Sequence, residues 1–420
     1  MRAIKPLQQP THVEVCVPGS KSYTHRMLIA AALSDGACTI QDALDSEDTT
    51  LTLSALSKWG VAVERRGAAV AVTGRGGELT ACGEAILLGN SGTSMRLLTA
   101  VAALARGKTI LTGGARMQAR PIQHLLDGLT QLGVAARSTA GNGCPPVEVI
   151  GGAVNGGRTR LNCSVSSQFL SALLLIAPCT RQGIEIAVTQ GPVSRPYVDI
   201  TLDSLTRFGV ASERRGDEWF HVAGGQHYRA GVYAVEPDCS QASYFWAAAA
   251  VTGSTVTVKG ISADSRQGDI RLLDLLSQMG CRVAKTAAGV AVSGADLSAV
   301  DVDMGDMPDV VPTLAVVAAF ARGRTLIHNV SHLREKESDR LAAVTSELNR
   351  IGIAAGCDAN TLWVQGGSPR SAAVETHNDH RIAMSFAVAG LKTPGIVIMD
   401  ETCVQKSFPA FWETFDGLYG

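Results

Sequence analysis

The chain has 420 residues, a formal net charge of −1, 46% hydrophobic residues and 5% aromatic residues. This length exceeds one ordinary hydrophobic core, so we expect two domains of about 200 residues each. The near-neutral charge argues against nucleic acid or an anionic membrane as partner, so any basic site must be local. The start, MRAIKPLQQP, is no signal peptide, and no stretch approaches the roughly 18 apolar residues of a membrane span. We therefore predict a cytoplasmic chain that acts as a monomer.

The cysteines and histidines do not indicate a metal site. Ten cysteines are scattered without a CxxC pair, which is typical of reduced thiols in a chain without an export signal. Among nine histidines, His377 and His380 form a suggestive pair, but no third ligand follows at metal-site spacing. The segment PGSKS around Lys21 lacks the earlier glycine of a nucleotide-binding P-loop. We predict neither a metal nor a cofactor.

One sequence pattern returns six times along the chain: an Ala/Leu-rich stretch, a glycine and a short β-branched run. Its glycines recur at intervals of about 70 residues, at Gly36, Gly107, Gly183, Gly253, Gly323 and Gly395. A second glycine ends a later amphipathic stretch in five of the repeats, at Gly60, Gly133, Gly209, Gly280 and Gly352. This regularity predicts an α/β protein built from six copies of a strand–helix–strand–helix–strand unit.

The ends of the chain predict how the six repeats are divided. Repeats one to three occupy 19–235, and repeats four to six occupy 236–420. A strand at 12–17 precedes the first repeat, whereas the last repeat ends after its second helix without closing strands. The simplest solution is that the strand at 12–17 completes the last repeat. We therefore predict two domains of three repeats each, 19–235 and 1–18 with 236–420, which face each other across a hinged cleft.

The predicted helices of successive repeats begin with similar residues. The positions before the first helices include Lys21, Asn90, Ser166, Asp238, Asp309 and Asp379, and those before the second helices include Asp45, Arg120, Ser194, Ser265, Lys336 and Lys406. Each could be a simple helix cap. A helix N-terminus also favours anions, because its backbone N–H groups are unpaired and its dipole is positive there. The recurrence of such starts across the repeats favours a site for anions.

Cationic side chains cluster in these same segments: Lys21, Arg26, Arg96, Arg120, Lys336, Arg340, Arg381 and Lys406. If they converge, their ligands must carry several anionic groups, since desolvated like charges repel. Arginine pairs well with carboxylate or phosphate groups. Asp309 and Glu337 stand among these cations and could transfer protons. The segment KESDR, which contains Glu337, could by itself equally be a solvated helix face.

Eight motifs, in order and over essentially the whole chain, resemble the 5-enolpyruvylshikimate-3-phosphate synthase family. They are PGSKSYTHR (18–26), LGNSGTSMR (88–96), RMQARP (116–121), VSSQFLSALL (165–174), SRPYVD (194–199), REKESDRL (334–341), NDHRIAM (378–384) and CVQKSFP (403–409). The resemblance implies transfer of the enolpyruvyl group of phosphoenolpyruvate to the 5-hydroxyl of shikimate 3-phosphate, with release of phosphate. This is a step of the shikimate pathway to chorismate and aromatic amino acids. It also implies inhibition by glyphosate, with sensitivity set by Gly92.

The same resemblance implies roles for individual residues. For shikimate 3-phosphate it implies Lys21, Ser22, Arg26, Ser166, Ser167, Gln168, Ser194, Tyr197, Asp309, His332 and Lys336. For phosphoenolpyruvate it implies Lys21, Asn90, Gly92, Arg120, Gln168, Arg340, Arg381 and Lys406. Asp309 resembles the base that accepts the 5-hydroxyl proton, Glu337 resembles the group that shuttles the proton at the methylene carbon, and Lys21 is the third catalytic candidate.

Some positions depart from the family pattern, and two alternatives remain. His332 stands where many relatives have Asn, Thr24-His25 replaces the commoner Ser-Asn, and Leu97 replaces a frequent Pro. The sister family, which loads enolpyruvate onto UDP-N-acetylglucosamine, reads PGSKN at its start and carries a Cys where this chain has Ala115. An inactive anion-binding relative would be expected to lack Asp309 or Glu337.

Overall fold

A computed structural model describes residues 1–262 and 264–420 of the chain. Its strands, in chain order, are β1 Arg2–Ala3, β2 His12–Val15, β3 Ala37–Gln41, β4 Ala62–Arg66, β5 Ala69–Thr73, β6 Leu79–Thr80, β7 Ala85–Leu87, β8 Ala105–Thr112, β9 Ala135–Ser138, β10 Val147–Gly151, β11 Gly157–Asn162, β12 Ile184–Gln190, β13 Glu213–Arg215, β14 Trp219–Val222, β15 Val232–Ala234, β16 Thr255–Lys259, β17 Arg282–Thr286, β18 Gly289–Ser293, β19 Asp301–Asp303, β20 Arg324–His328, β21 Ala355–Cys357, β22 Leu362–Gln365, β23 Ala372–Val374 and β24 Ile396–Ile398.

The helices alternate with these strands, which confirms the α/β class. They are α1 Lys21–Leu33, α2 Glu47–Lys58, α3 Gly92–Val101, α4 Gln123–Gln131, α5 Gln168–Ile176, α6 Pro196–Arg207, α7 Cys239–Thr252, α8 Leu272–Gln278, α9 Val311–Ala318, α10 Arg340–Arg350, α11 His380–Gly390 and α12 Phe411–Asp416. Short 3₁₀ helices lie at Met117–Ala119, Ala177–Cys179, Gly268–Arg271, Pro308–Val310, Ser331–Glu335, Glu401–Lys406 and Gly417–Tyr419. Within the described residues, no helix combines the length and the apolar character that crossing a membrane requires.

The chain forms two compact units. The inserted unit is Gly19–Val235, and the composite unit is Met1–Pro18 together with Glu236–Gly420. In the inserted unit the strand orders are β15-β3-β5-β4, β6-β8-β10-β9 with β7 also on β8, and β11-β12-β14-β13. In the composite unit they are β17-β18-β16-β2, β19-β20-β22-β21 and β1-β24-β23. Five of these sheets share one pattern, in which a parallel neighbour and an antiparallel hairpin flank the strand after the first helix.

The prediction for the N-terminal strand is wrong. The strand His12–Val15 does not complete the last repeat; it pairs in parallel with β16, in the fourth repeat. The last sheet is instead extended by β1, which runs antiparallel to β24. The other strand at a unit boundary behaves in the same way: β15 pairs in parallel with β3 of the first repeat. Thus β2, which precedes the inserted unit, completes the first sheet of the composite unit. In turn β15, which precedes the second segment of the composite unit, completes the first sheet of the inserted unit.

The two helices of each repeat differ in burial. The first helices, α1, α3, α5, α7, α9 and α11, are buried almost along their whole lengths. The second helices, such as α10, bury one side and expose the other. After α10, Gly352 adopts a φ of +83°, a left-handed conformation that ends the helix and that glycine adopts without steric cost. The predicted site residues lie at or near the starts of both kinds of helix.

Candidate active site

In the inserted unit, α1 begins at Lys21. A side chain at Gly19 would collide with the backbone oxygen of Asp42, so only glycine allows this close turn before the helix. Nζ of Lys21 lies 3.2 Å from Oδ2 of the buried Asp48, in the first turn of α2. Sequence analysis did not identify Asp48, because an acidic residue in a first helical turn is also expected for simple dipole stabilisation. The ion pair fixes the predicted catalytic lysine against α2.

Arg26 lies deeper in the same helix and is almost fully buried. Its Nε donates to Oγ1 of Thr201 at 2.7 Å, and Nη1 donates to the backbone oxygen of Ser22 at 2.9 Å. Nη2 donates to Oγ of Ser171 and to the backbone oxygen of Tyr197, at 3.2 and 3.1 Å. Burial lowers the pKa of Arg26 to about 10. The guanidinium thus joins α1, α5 and α6, and little of it remains for a ligand.

Gly92 opens α3 beside the guanidinium of Arg120. A Cβ at position 92 would lie 2.5 Å from Nη2 and 2.8 Å from Cζ of Arg120. Nη1 of Arg120 also donates to the backbone oxygen of Asn90 at 3.2 Å. The structure therefore brings together three of the residues predicted to bind phosphoenolpyruvate, and the absence of a side chain at Gly92 makes their packing possible.

Four predicted residues meet where α5 and α6 begin. Oγ of Ser167 donates to the backbone oxygen of Ser194 at 3.3 Å, and the backbone N of Gln168 donates to Oγ of Ser166 at 3.2 Å. Ser194 has a φ of +55°, an uncommon conformation for a residue with a side chain. Its buried hydroxyl has no hydrogen-bond partner among the described residues. Ser194 therefore combines backbone strain with an unsatisfied hydroxyl, as functional residues often do.

Gln168 links this group to α3. Nη1 of Arg96 donates to Oε1 of Gln168 at 2.9 Å, and Nε2 of Gln168 donates to Oγ1 of Thr93 at 3.1 Å. Both ends of the amide are occupied, so its orientation is fixed by the two neighbours.

The departures from the family pattern in α1 and α3 lie inside the inserted unit. Thr24 is fully buried and accepts a hydrogen bond from the backbone N of Leu44 at 3.1 Å. Nδ1 of the buried His25 lies 2.9 Å from Oγ1 of Thr52. Leu97 is also fully buried. These substitutions therefore change internal packing.

In the composite unit, Arg340 is the centre of a network of ion pairs. It is the first residue of α10 and is 1% exposed. Nη1 lies 2.8 Å from Oδ1 of Asp309, Nη2 lies 2.7 Å from Oε2 of Glu337, and Nε lies 2.8 Å from Oδ2 of Asp379. Burial lowers the pKa of Arg340, but the three carboxylates, led by Asp379, outweigh this effect and raise it overall. One permanently charged guanidinium thus orients both predicted proton-transfer carboxylates.

Arg381 approaches Asp309 from α11. Its Nη2 lies 2.7 Å from Oδ2 of Asp309, so the two oxygens of this carboxylate face two different guanidiniums. Nη1 of Arg381 lies 3.4 Å from the hydroxyl of Tyr244, which is buried in α7. Asp309, Glu337, Arg340 and Arg381 therefore form one cluster, although they come from three separate segments of the chain.

Asp379 is the member of this cluster whose role sequence analysis missed. It was recognised only as a position before a helix. Asp379 does cap α11, by accepting from the backbone N of Arg381 at 3.0 Å, but its other oxygen pairs with Arg340. Burial raises its pKa, but the charges of Arg340 and His380 and the hydrogen bond from Arg340 together outweigh burial and lower the pKa overall.

His332 and the two predicted lysines lie in or beside short 3₁₀ helices. His332 is 6% exposed, and its Nε2 has no partner among the described residues. Burial, and next the charge of Lys336, lower the pKa of His332 to about 3. Lys406 ends the 3₁₀ helix Glu401–Lys406 and is buried. No cluster of three or more His, Cys, Asp or Glu residues suitable for a metal ion occurs at positions 1–262 or 264–420.

Residues 6–415 match the family model of EPSP synthase (3-phosphoshikimate 1-carboxyvinyltransferase). The chain belongs to the EPSP synthase family. The 3-phosphoshikimate 1-carboxyvinyltransferase of Syntrophobacter fumaroxidans is 44% identical to this chain, and the alignment covers 96% of both proteins. The enzyme of the same name from Nostoc sp. is 41% identical over 98% of both. A solved structure of EPSP synthase from Acinetobacter baumannii superimposes with a TM-score of 0.82 at 30% identity, covering 99% of this chain and 97% of that one.

Membership of the EPSP synthase family confirms the resemblance carried by the eight motifs. It also favours the 3-phosphoshikimate enzyme over the UDP-N-acetylglucosamine alternative, since the match to the family model extends over nearly the whole chain. The roles of individual residues stay predictions.

Proposed function

We propose that the chain works as a 3-phosphoshikimate 1-carboxyvinyltransferase in which Asp309 and Glu337 transfer the protons. The observation that carries the proposal is the network around Arg340, which holds both carboxylates within 2.8 Å of one guanidinium. Carboxylates fixed in this way can serve as acid and base without reorganising during the reaction.

The inserted unit is proposed to bind shikimate 3-phosphate. The hydroxyls of Ser166, Ser167 and Ser194 are suited to the 3-phosphate, because hydroxyl groups at helix starts donate to phosphate oxygens together with backbone N–H groups. The unpartnered hydroxyl of Ser194 supports this role most directly. Ser22, Gln168 and Tyr197 complete this set, and Arg26 supports it by joining α1, α5 and α6. Lys336, His332 and Asp309 are further residues proposed for this substrate.

Phosphoenolpyruvate is proposed to bind to cations that other groups already orient. Arg340 and Arg381 offer planar guanidiniums to its carboxylate and phosphate, and Lys21 and Lys406 offer point charges. Arg120, held by Asn90 against Gly92, adds a further guanidinium. These charges stabilise the negative charge that builds on the departing phosphate.

The proton transfers then proceed in two stages. In the addition, Asp309 accepts the 5-hydroxyl proton, the oxygen attacks C2 of phosphoenolpyruvate, and Glu337 delivers a proton to the methylene carbon C3. In the elimination, a proton leaves C3 for Glu337, the double bond returns, the C2–O bond to phosphate breaks, and the departing phosphate takes up the proton that Asp309 accepted. The products are the enolpyruvyl ether and inorganic phosphate, so all atoms are accounted for.

Phosphate release tests the proposal. Purified protein is incubated with phosphoenolpyruvate and shikimate 3-phosphate, and in parallel with phosphoenolpyruvate and UDP-N-acetylglucosamine. Release with shikimate 3-phosphate alone supports the assignment. Release with the nucleotide sugar alone, or with neither acceptor, contradicts it. We further propose a cytoplasmic monomer, which light scattering of the purified protein and fractionation of cells test.

A further inference from the structure

A buried carboxylate that the proposed chemistry does not use lies in α10. The side chain of Glu347 is 0% exposed. Oε1 lies 2.9 Å from Nε2 of His377, and Oε2 accepts from the backbone N of Glu375 at 3.0 Å. Nε of Arg350, whose side chain is 43% exposed, lies 2.8 Å from Oε2. A buried charge is costly unless it is paired, so these three contacts explain how Glu347 is tolerated.

Two of the contacts go to a strained segment. His377 and Asn378 both have a φ of +53°, in the left-handed region that residues with side chains seldom adopt. Such conformations persist where the surrounding structure imposes them. Glu347 holds the segment on both sides of Thr376, through the backbone of Glu375 and the ring of His377. The carboxylate thus anchors this segment to α10.

The strained segment leads directly into Asp379. Asp379 accepts from Nε of Arg340 at 2.8 Å, from Oγ of Ser338 at 3.0 Å and from the backbone N of Arg381 at 3.0 Å. Its backbone N also donates to the backbone oxygen of Thr376 at 2.9 Å, which ties Asp379 to the segment before it. Arg340 and Glu347 are seven residues apart in α10, which places them on one face of the helix. The same helix face thus carries Arg340 and fixes the segment that supplies its partner.

We propose that Glu347 is a positioning residue: through His377 and the backbone of Glu375, it holds the segment 375–378 in the conformation that sets Asp379 against Arg340 and Arg381. The inference rests on the proposed function, in which these two arginines bind phosphoenolpyruvate. Glu347 touches neither substrate in this scheme. Its effect reaches phosphoenolpyruvate only through the orientation of the two guanidiniums.

The variant His377→Asn tests the link with little disturbance of the core. His377 is about one third exposed, and asparagine tolerates the left-handed conformation but is too short to reach Glu347. We expect KM for phosphoenolpyruvate to rise about threefold or more while KM for shikimate 3-phosphate stays within about twofold. Hydrogen exchange in the peptide 376–384 should become faster, because the segment loses its anchor.

Two matched controls separate the anchor from general effects. Asn378→Gly keeps the left-handed conformation one residue later, and Arg350→Ala removes only the outer ion pair of Glu347. Both should leave KM for phosphoenolpyruvate and the exchange of 376–384 near wild type. Glu347→Gln can still accept from the backbone of Glu375. Its KM for phosphoenolpyruvate and its exchange rate in peptide 376–384 should lie between those of wild type and His377→Asn.

An unchanged KM for phosphoenolpyruvate or unchanged exchange in His377→Asn overturns the inference, even if the melting temperature falls. Failure of the proposed function looks different. In that case the wild-type protein releases no phosphate from either acceptor, and the exchange of peptide 376–384 still decides whether Glu347 and His377 hold the segment.

Discussion

A Cβ added to Gly92 would lie 2.5 Å from Nη2 of Arg120, closer than real Cβ contacts come. Because Gly92 has no side chain, the guanidinium of Arg120 packs directly on the N-terminus of α3. The structure therefore gives Gly92 a role toward a neighbouring residue, besides the direct role toward glyphosate that the sequence predicted.

Gly92→Ala should displace the guanidinium of Arg120, which is the mobile end of a flexible side chain. We expect KM for phosphoenolpyruvate to rise several-fold and the inhibition constant of glyphosate to rise more, by about tenfold or greater, because the methyl group also crowds the longer inhibitor. Steady-state kinetics with glyphosate give both constants. Gly114→Ala is the control, since a Cβ there meets nothing within 4 Å. An unchanged ratio of the two constants would reject the direct steric role.

Glu337→Gln should preserve binding and reduce turnover. The amide oxygen of glutamine can still accept from Nη2 of Arg340, which now lies 2.7 Å from Glu337, so the network keeps its geometry. The proton transfer at the methylene carbon is lost, and kcat should fall by about 10² or more with little change in either KM. Glu335→Gln, two residues earlier, is the control. A near-normal kcat in Glu337→Gln would remove Glu337 from the mechanism.

The repeat pattern and the helix starts were accessible from the sequence, because glycines and capping residues act locally. The pairing of β2 with β16 and of β15 with β3 was not accessible from the sequence. Alternation of side chains along a strand tells which face is buried, but not which strand lies beside it. The same limit explains the wrong assignment of the strand at 12–17, whose alternating valines fit either sheet equally well.

The candidate site shows a similar division. Asp309, Glu337, Arg340 and Arg381 were named from motifs, and the structure unites them. Asp379 was missed as a partner of Arg340 because 39 residues separate the two and its cap position already accounted for a carboxylate there. A buried ion pair between distant segments leaves no local signal in one sequence.

Because of His332, the free energy of unfolding should decrease as the pH falls. Burial lowers its pKa to about 3 in the folded protein, whereas the unfolded value is about 6.5. The unfolded chain therefore binds the proton first, and the free energy of unfolding should fall by about 1.4 kcal/mol per pH unit between about pH 6 and pH 4 through this residue. His332→Asn should lose this component, which urea unfolding at several pH values measures. Parallel pH dependence in both proteins would contradict the assignment.

Asp269 should have the opposite effect on the free energy of unfolding, which should decrease as the pH rises. Burial, and next the carboxylate of Asp309, raise the pKa of Asp269 to about 7. Its Oδ1 has no hydrogen-bond partner among the described residues, while its other oxygen accepts from the hydroxyl of Ser240. The folded protein therefore holds a proton that the unfolded chain releases near pH 4. Stability from this group is fully present below about pH 4 and is lost as the pH rises through about 7.

Asp269→Asn mimics the protonated carboxyl at every pH. We expect the variant to exceed the wild-type free energy of unfolding at both pH values, and the difference to be larger at pH 8 than at pH 5 by about 1 kcal/mol or more. Asp274→Asn, on the exposed side of α8, is the control and should show no such difference. Urea unfolding of the three proteins at both pH values provides the measurement. If Asp269→Asn is equally destabilised at pH 5 and pH 8, the buried carboxyl is ionised throughout and its proton does not contribute to folding.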